Sequence, residues 1–270
     1  MTRMQIISLQ NPRIKAASEL HERKARRETG LMLVEGFFEL QLAWQAGLTL
    51  SHLFICPPMI REGEEDLLRD MEAKGVDIVE VSRPVLEKMS FRENPDAWLA
   101  VARMPKRTLD SLNLGTNPLV IIAENLEKPG NLGAILRSAD AVGASAVLVC
   151  EGRTDVFNPN VVRASKGALF SMPVVECGNR EAWTWLHAHG IKVLAATPEG
   201  ASRHWETDLC GAVAVAVGAE KEGLSEFWLS RADARVVIPM QGRVNSLNVA
   251  QAATILAYEA WRQRQGAGCG

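Results

Sequence analysis

Three polar stretches carry side chains that could bind an anion or orient a reacting group. In the first, Asn131 is the predicted N-cap of a helix that also carries Gly133 and Arg137. Gly133 and Arg137 are four residues apart, so they share a helix face, and the arginine leans back over the glycine, where no side chain fills the space. Helix-start N–H groups beside a guanidinium suit a phosphodiester. The alternative is a surface arginine that forms only a salt bridge.

The second and third stretches each follow a short apolar run. Gly218 could let the backbone approach a ligand closely, and Glu220 places a carboxylate where the run ends. A turn that leads into a helix is an equally simple interpretation. In the third stretch the run stops at Pro239, a polar loop follows, and Asn248 is the predicted N-cap of the next helix, with Ser246 as the competing cap. An ordinary strand–loop–helix junction is the alternative.

The apolar runs near these stretches are typical of buried strands. Strands are predicted at 119–123, 146–150, 193–196, 212–217 and 236–238. Runs that are apolar on both faces and alternate with helical segments predict a parallel sheet covered on each side. Ligands of such sheets bind at the carboxyl ends of the strands, which is where the polar stretches lie. The predicted fold class of the back of the chain is therefore α/β.

The first hundred residues predict a smaller α/β unit with a basic helix. Strands are expected at 31–35, 53–56, 76–81 and 97–102, with helices at 13–27, 37–46 and 61–73. The first helix carries the cations Arg13, Arg23, Lys24, Arg26 and Arg27. Like charges so close together repel unless they bind a polyanion, so this helix is a predicted RNA contact. A solvated helix face is the alternative.

A linker separates the two predicted domains. It contains Pro105 and Gly115 among polar residues and shows no periodicity, which is typical of a domain boundary. The predicted organisation is a first domain at 1–104, a linker at 105–117, a second domain at 118–264 and a disordered Gly-rich tail at 265–270.

Composition disfavours several classes of protein. The net charge of −2 means that nucleic-acid binding requires a local basic patch. The five cysteines are odd in number and include no Cys-x-x-Cys pair, which indicates free thiols and no metal site. No run approaches the roughly 18 apolar residues of a membrane span, so the predicted location is the cytoplasm. The glycine-rich fingerprints of Rossmann enzymes and nucleotide hydrolases are absent.

Three ordered motifs lie in the polar stretches: Asn-x-Gly-x-x-x-Arg, then Gly-x-Glu-x-x-Gly-Leu, then Ile-Pro-Met followed by Ser-Leu-Asn-Val. Together they resemble the SpoU (TrmH) family of RNA ribose 2′-O-methyltransferases in the SPOUT superfamily. The resemblance covers roughly residues 118–262, and residues 162–168 are similar to the family's intermediate segment. Pro129-Gly130 departs from the acidic residue and proline of many members. The front domain resembles the small substrate-binding domain that often precedes the catalytic one.

The resemblance implies S-adenosylmethionine as the methyl donor, a trefoil-knotted second domain and a homodimer. Carried over by position, it implies cofactor contacts at Thr197, Gly218, Ile238 and Leu247. It implies that Arg137 is the catalytic arginine, as either a general base or an electrostatic anchor. The other residues that it implies at the site are Asn131, Glu220, Ser246 and Asn248.

The implied substrate is RNA. The front domain is more similar to those of rRNA-directed members than to those of tRNA-directed ones, so large-subunit rRNA is predicted. Methylation of tRNA is one alternative, and a non-catalytic RNA-binding or ribosome-assembly protein with the same fold is another. A Rossmann methyltransferase ranks third because the glycine-rich loop is missing. The modified nucleotide and its base are not specified by the sequence.

Overall fold

The structure, a computed structural model, describes residues 3–219 and 221–266 and divides into two compact units. The first unit contains Met1–Lys106 together with Phe157–Ser171. The second contains Arg107–Val156 together with Met172–Gly270. The inclusion of Phe157–Ser171 in the first unit was not predicted, because in the sequence these residues lie between two strands of the second domain.

The first unit is built on a five-stranded mixed sheet. Its strands are β1 (Met4–Ile6), β2 (Leu31–Glu35), β3 (Leu50–Ile55), β4 (Ile78–Val81) and β5 (Trp98–Arg103), in the spatial order β1-β4-β3-β5-β2. Its first helices are α1 (Pro12–Glu19), α2 (Arg23–Thr29), α3 (Phe37–Gln45), α4 (Glu65–Ala73) and α5 (Arg83–Met89). Strand β4 pairs in parallel with β1 and β3, whereas β5 runs antiparallel to β3 and β2. Strand β1 and helix α5 were not predicted.

The predicted basic helix over 13–27 is two helices, α1 and α2, so that prediction was wrong. Arg26 explains the break. Its Nη1 atom donates to the carbonyl oxygens of Leu20 at 2.7 Å and His21 at 2.8 Å, at the end of α1. In a continuous helix these carbonyls would accept from backbone N–H groups four residues later. Here a side chain satisfies them instead, and the chain turns before α2 begins at Arg23.

The five predicted RNA-contact cations differ in how available they are. Arg26 is 1% exposed and holds two carbonyls, so its assignment to RNA contact is corrected to a structural role. Arg13 pairs with Asp77 at 3.0 Å and remains partly exposed. Lys24 and Arg27 are exposed, and Arg23 is half-buried. The surface charge of this segment is therefore smaller than the sequence suggests.

The second unit is built on a seven-stranded parallel sheet. Its strands are β6 (Leu119–Glu124), β7 (Ala146–Cys150), β8 (Val174–Cys177), β9 (Lys192–Ala196), β10 (Ser202–Arg203), β11 (Val213–Val217) and β12 (Ala234–Val237). They are arranged in the order β10-β12-β9-β11-β6-β7-β8, and every pair is parallel. The predicted parallel α/β sheet is confirmed. The short strands β8 and β10 were not predicted.

Helices cover both faces of this sheet. The helices that complete the chain are α6 (Pro129–Ala141), α7 (Pro159–Ser165), α8 (Ala168–Ser171), α9 (Asn179–Ala188), α10 (Glu226–Arg231) and α11 (Val249–Gln265), of which α7 and α8 belong to the first unit. On one face, Val120 and Ile122 of β6 share a core with Trp185 of α9 and Trp228 of α10. Helix α11 packs against α6, β6 and β11. Every residue of β6 and β11 is buried, as expected for strands covered on both sides.

Two general predictions are tested by the described residues. Cys56, Cys150 and Cys177 are free thiols, whereas Cys210 is disulfide-bonded, which contradicts the prediction of free thiols throughout. Spacing in the sequence cannot reveal a bond that depends on how the fold brings distant segments together. Within the described part of the chain, no helix is both long and apolar enough to cross a membrane. The predicted tail at 265–270 lies largely outside the described residues.

Replacing Arg26 with alanine is expected to destabilise the protein by about 2–3 kcal/mol, because the carbonyls of Leu20 and His21 lose their donor and buried packing is lost. Lys24→Ala is the matched control, because the Lys24 side chain is 85% exposed and its loss should change stability by less than about 0.5 kcal/mol. Urea unfolding followed by circular dichroism measures both. Equal stability of the two variants would make Arg26 a candidate RNA contact again.

Candidate functional site

The carboxyl ends of all seven parallel strands lie at one edge of the second unit's sheet. Parallel pairing forces this arrangement, because each strand runs in the same direction as its neighbours. Strands β6, β11 and β12 end at Glu124, Val217 and Val237. The loops that follow them contain the three polar stretches singled out in the sequence. The candidate site is therefore at this edge, where ligands of such sheets bind.

The first stretch forms the start of α6. The helix begins at Pro129, with Lys128 at the N-cap position, so the prediction that Asn131 is the N-cap was wrong. Proline is favoured in the first helical turn, where no backbone N–H is needed, and this starts the helix earlier. Asn131 is half-buried within the first turn. Arg137 is exposed, and its guanidinium bonds to none of the described residues.

The third stretch meets the first through a hydrogen bond. Asn248 caps α11, because its Oδ1 atom accepts from the backbone N–H of Ala250 at 2.9 Å. This confirms Asn248, rather than Ser246, as the N-cap. The Nδ2 atom of Asn248 donates to Oδ1 of Asn131 at 3.2 Å. Two of the predicted site residues, 117 positions apart, are thus in direct contact.

Helices α6 and α11 are also joined by hydroxyl groups below this contact. The Oγ atom of Ser138 lies 2.6 Å from Oγ1 of Thr254, which in turn donates to the carbonyl of Ala250 at 2.7 Å. The bonds at Asn131 and at Ser138 fix one helix against the other at two points along its length. Arg137, which lies between these points in the sequence, is therefore on a helix that is firmly placed relative to Asn248.

The second stretch forms a tight loop after β11. The N–H of Gly223 donates to the carbonyl of Ala219 at 2.9 Å, and Gly223 adopts a left-handed φ of +67°. A Cβ atom on Gly218 would lie 2.2 Å from the backbone of Gly223, so only glycine fits there. The close approach that the sequence predicted at Gly218 is therefore made by the loop itself. Glu220 lies outside the described residues.

The predicted cofactor residues lie on three loops of this edge. Thr197 follows β9; its backbone N–H donates to the Val236 carbonyl at 3.0 Å, and its hydroxyl donates to Glu199 at 3.0 Å. Ile238 follows β12, and Leu247 lies just before α11; both are half-buried. Residues 239–247 make no hydrogen bond to any described residue. Their backbone donors and acceptors are therefore available to a ligand.

A second close glycine contact at this edge was not predicted from the sequence. A Cβ atom on Gly200 would lie 2.5 Å from the backbone of Val236, so the loop after β9 packs directly onto β12. The signal was present in the sequence as a turn-forming Thr-Pro-Glu-Gly segment directly after an apolar run. Ser246 is exposed in the last loop and makes no bond to the described residues.

Cys150, at this edge, is a poor nucleophile. The sulfur atoms of Cys150 and Cys177 lie 3.8 Å apart at the ends of β7 and β8. The hydrogen bond to Cys177 and burial both raise the pKa of Cys150 far above its ordinary value, because they disfavour the thiolate. Among the described residues, no group of three or more His, Cys, Asp or Glu side chains could hold a metal ion. The edge does offer amides, hydroxyls, carboxylates such as Glu199, backbone groups and Arg137.

Comparisons with known proteins agree with this geometry. The SpoU rRNA Methylase family matches residues 118–258, and the MRM3-like substrate binding domain matches residues 11–100. A 23S rRNA (guanosine(2553)-2′-O)-methyltransferase of Bacillus subtilis is 30% identical, over 94% of this chain and 98% of its own length.

Two solved structures are similar over nearly the whole chain. An RNA 2′-O ribose methyltransferase has a TM-score of 0.85 at 43% identity, with 97% of this chain and 99% of that one covered. An AdoMet-bound rRNA methyltransferase from Sinorhizobium meliloti has a TM-score of 0.88 at 29% identity, with 97% and 98% covered. These matches confirm the resemblance that the three motifs predicted. The chain belongs to the SpoU rRNA methylase family.

Proposed function

We propose that this protein transfers the methyl group of S-adenosylmethionine to a ribose 2′-hydroxyl of large-subunit rRNA. The observation that carries the proposal is the hydrogen bond between Asn248 and Asn131, which joins the first and third motifs at the start of the helix that carries Arg137. The 23S rRNA activity of the Bacillus subtilis relative supports the choice of RNA. The match of residues 11–100 to a substrate-binding domain supplies a second surface for that RNA.

The residues at the sheet edge fit the proposed cofactor. S-adenosylmethionine has an apolar adenine ring with polar edges, and such ligands are held by apolar side chains and backbone groups. Ile238 and Leu247 offer half-buried apolar side chains, and residues 239–247 offer backbone groups that no described residue uses. In this proposal Ile238, Leu247, Thr197 and Gly218 hold the cofactor. When bound, the cofactor supplies an electrophilic methyl group on a sulfonium.

The protein must orient the ribose hydroxyl and stabilise the charge that develops on its oxygen as the proton passes to water. A guanidinium with a pKa above about 12 is a poor general base but a strong anion ligand. Arg137 therefore anchors the phosphate next to the target ribose and stabilises the developing alkoxide. Asn131 and Asn248 hold the helix that carries this arginine, and Ser246 and Glu220 complete the proposed site. Alignment of the reacting atoms provides the remaining acceleration.

Two alternatives differ in what they bind. Methylation of tRNA would use the same site with a different RNA. A non-catalytic RNA-binding protein with this fold would have no need of the cofactor, so failure to bind S-adenosylmethionine at millimolar concentration in a calorimeter would favour it. The cofactor-bound neighbour from Sinorhizobium meliloti argues for the catalytic interpretation.

The proposal includes a homodimer and the trefoil knot implied by the family. Helix α11 exposes three large apolar side chains on one face, Ile255, Tyr258 and Trp261, of which the last two are 46% and 43% exposed. Residues three apart on a helix are neighbours on its surface, so these side chains form one row. Aromatic side chains grouped in this way are typical of protein interfaces. A second copy of the chain is the proposed occupant.

Arg137→Lys is expected to retain partial RNA binding but to lose at least about a hundredfold in turnover, because an ammonium cannot bond a phosphate and an alkoxide in the fork geometry of a guanidinium. Transfer of tritiated methyl groups from labelled cofactor to 23S rRNA and to tRNA measures both activity and substrate choice. Arg231→Lys, an exposed arginine at the end of α10, is the control. Near wild-type turnover in Arg137→Lys would contradict the assigned role.

Gly218→Ala is expected to weaken cofactor binding at least about tenfold, because the added methyl group would displace the backbone of Gly223 and with it the loop. Gly211→Ala is the control, since a Cβ atom there meets nothing within 4 Å. Calorimetric titration with S-adenosylmethionine compares the two. Unchanged affinity in Gly218→Ala would show that this loop does not contact the cofactor.

Trp261→Glu is expected to convert the proposed dimer to a monomer, because burying an unpaired carboxylate in the interface costs more free energy than the contact contributes. Size-exclusion chromatography with light scattering gives the mass of each species. Phe38→Glu, which changes an exposed aromatic residue of the first unit, is the control. A wild-type monomer, or a Trp261→Glu dimer, would exclude this face of α11 as the interface.

A further inference from the structure

Glu124, the last residue of β6, is a buried carboxylate that holds the segment after β11. It is 2% exposed. Its Oε1 atom accepts from Nδ2 of Asn179 at 2.5 Å and from Oγ of Ser225 at 2.6 Å, and its Oε2 atom accepts from the backbone N–H of Ser225 at 2.7 Å. Ser225 directly follows the tight loop 218–224. One acceptor group thus connects β6 to the end of the loop that follows its neighbour β11.

The direction of each bond in this cluster is fixed by a neighbour. The indole N–H of the fully buried Trp228 donates to Oδ1 of Asn179 at 2.8 Å, so the amide nitrogen of Asn179 must face Glu124. Ser225 stands at the N-cap of α10, where a serine hydroxyl ordinarily accepts from a backbone N–H. Its hydroxyl makes no such cap bond and is donated to Glu124 instead. The Ser225 hydroxyl therefore attaches the end of the loop to Glu124 and does not cap α10.

The next residue, Asn125, provides a second attachment. Its Nδ2 atom donates to Oε2 of Glu222 at 3.3 Å. Asn125 has a left-handed φ of 55°, which asparagine tolerates better than most residues, and its backbone N–H donates to the carbonyl of Cys150 at 2.9 Å. Consecutive residues at the end of β6 thus hold the loop at Glu222 and at Ser225.

We infer that Glu124, assisted by Asn125, is a positioning residue that sets the place of loop 218–224 and thereby the cofactor contact at Gly218. The inference rests on the proposed function. A cluster that only stabilised the fold would change the fraction of folded enzyme and hence the apparent kcat. A cluster that positions the loop also changes the KM for S-adenosylmethionine, which does not depend on how much enzyme is folded.

A reciprocal exchange of carboxylate and amide tests the inference. Glu124→Gln places an amide NH₂ against the NH₂ of Asn179, and Asn179→Asp places two carboxylates together. The double variant Glu124→Gln/Asn179→Asp restores one donor and one acceptor in the opposite direction, and the aspartate still accepts from Trp228. Each single variant is expected to raise the KM for the cofactor about tenfold, and the double variant to return it to within about threefold of wild type. The KM for RNA should change less than about twofold.

Two further variants make the result decisive. Ser225→Ala removes one bond from an exposed residue and should raise the cofactor KM about threefold even if Glu124→Gln does not fold. Glu226→Gln, exposed in the first turn of α10, is the control and should match wild type. Calorimetry with S-adenosylmethionine separates the outcomes. A wild-type protein that does not bind overturns the proposed function, whereas wild-type affinity in both Glu124→Gln and Ser225→Ala overturns this inference alone.

Discussion

The parallel pairing of seven strands is the constraint on which the rest of the second unit depends. Because β6, β9, β11 and β12 all run in one direction, the loops that follow them meet at one edge although they are spread over more than a hundred residues. Parallel strands need long crossovers, and the helices of these crossovers bury both faces of the sheet. The parallel arrangement of the strands therefore produces both a core that excludes water and a cluster of irregular loops at one edge.

Helix α11 joins two of the loops that contain the candidate site. The side chain of its N-cap, Asn248, both caps the helix and bonds to Asn131. Further along, the hydroxyls of Thr254 and Ser138 hold α11 against α6. A single asparagine therefore links the start of the last helix to the start of the first helix of this unit. The amide suits this task because it has both an acceptor for the cap and donors for a partner. A serine at this position could not make both bonds in the same geometry.

The parts of the fold that were predictable depend on local patterns, and the parts that were not depend on distant partners. Continuous apolar runs identified β6 and β11, and the polar residue before an apolar helix identified Asn248 as a cap. The prediction that Asn131 is an N-cap was wrong because Pro129 starts the helix earlier. The prediction of one helix over 13–27 was wrong because the buried Arg26 side chain bonds to carbonyls that would accept from backbone N–H groups in a continuous helix. The role of Glu124 as a buried acceptor could not be predicted from local patterns, because its three donors belong to residues 55 and 101 positions later in the chain.

The packing of the loops at this edge bears on which residues can determine the choice of RNA. Gly200 and Gly218 both lie against backbone rather than side chains, so the loops after β9 and β11 are held close by main-chain contacts. Residues 239–247 likewise offer backbone groups that no described residue uses. A ligand that is bound by backbone groups is recognised through the shape of the loops, and that shape tolerates many side-chain changes. Recognition of this kind suits a cofactor that is common to a whole family. Discrimination between RNAs requires side chains that differ between relatives. Exposed residues of the first unit, such as Lys24, Arg27 and Phe38, can vary because the stability of the fold does not depend on them.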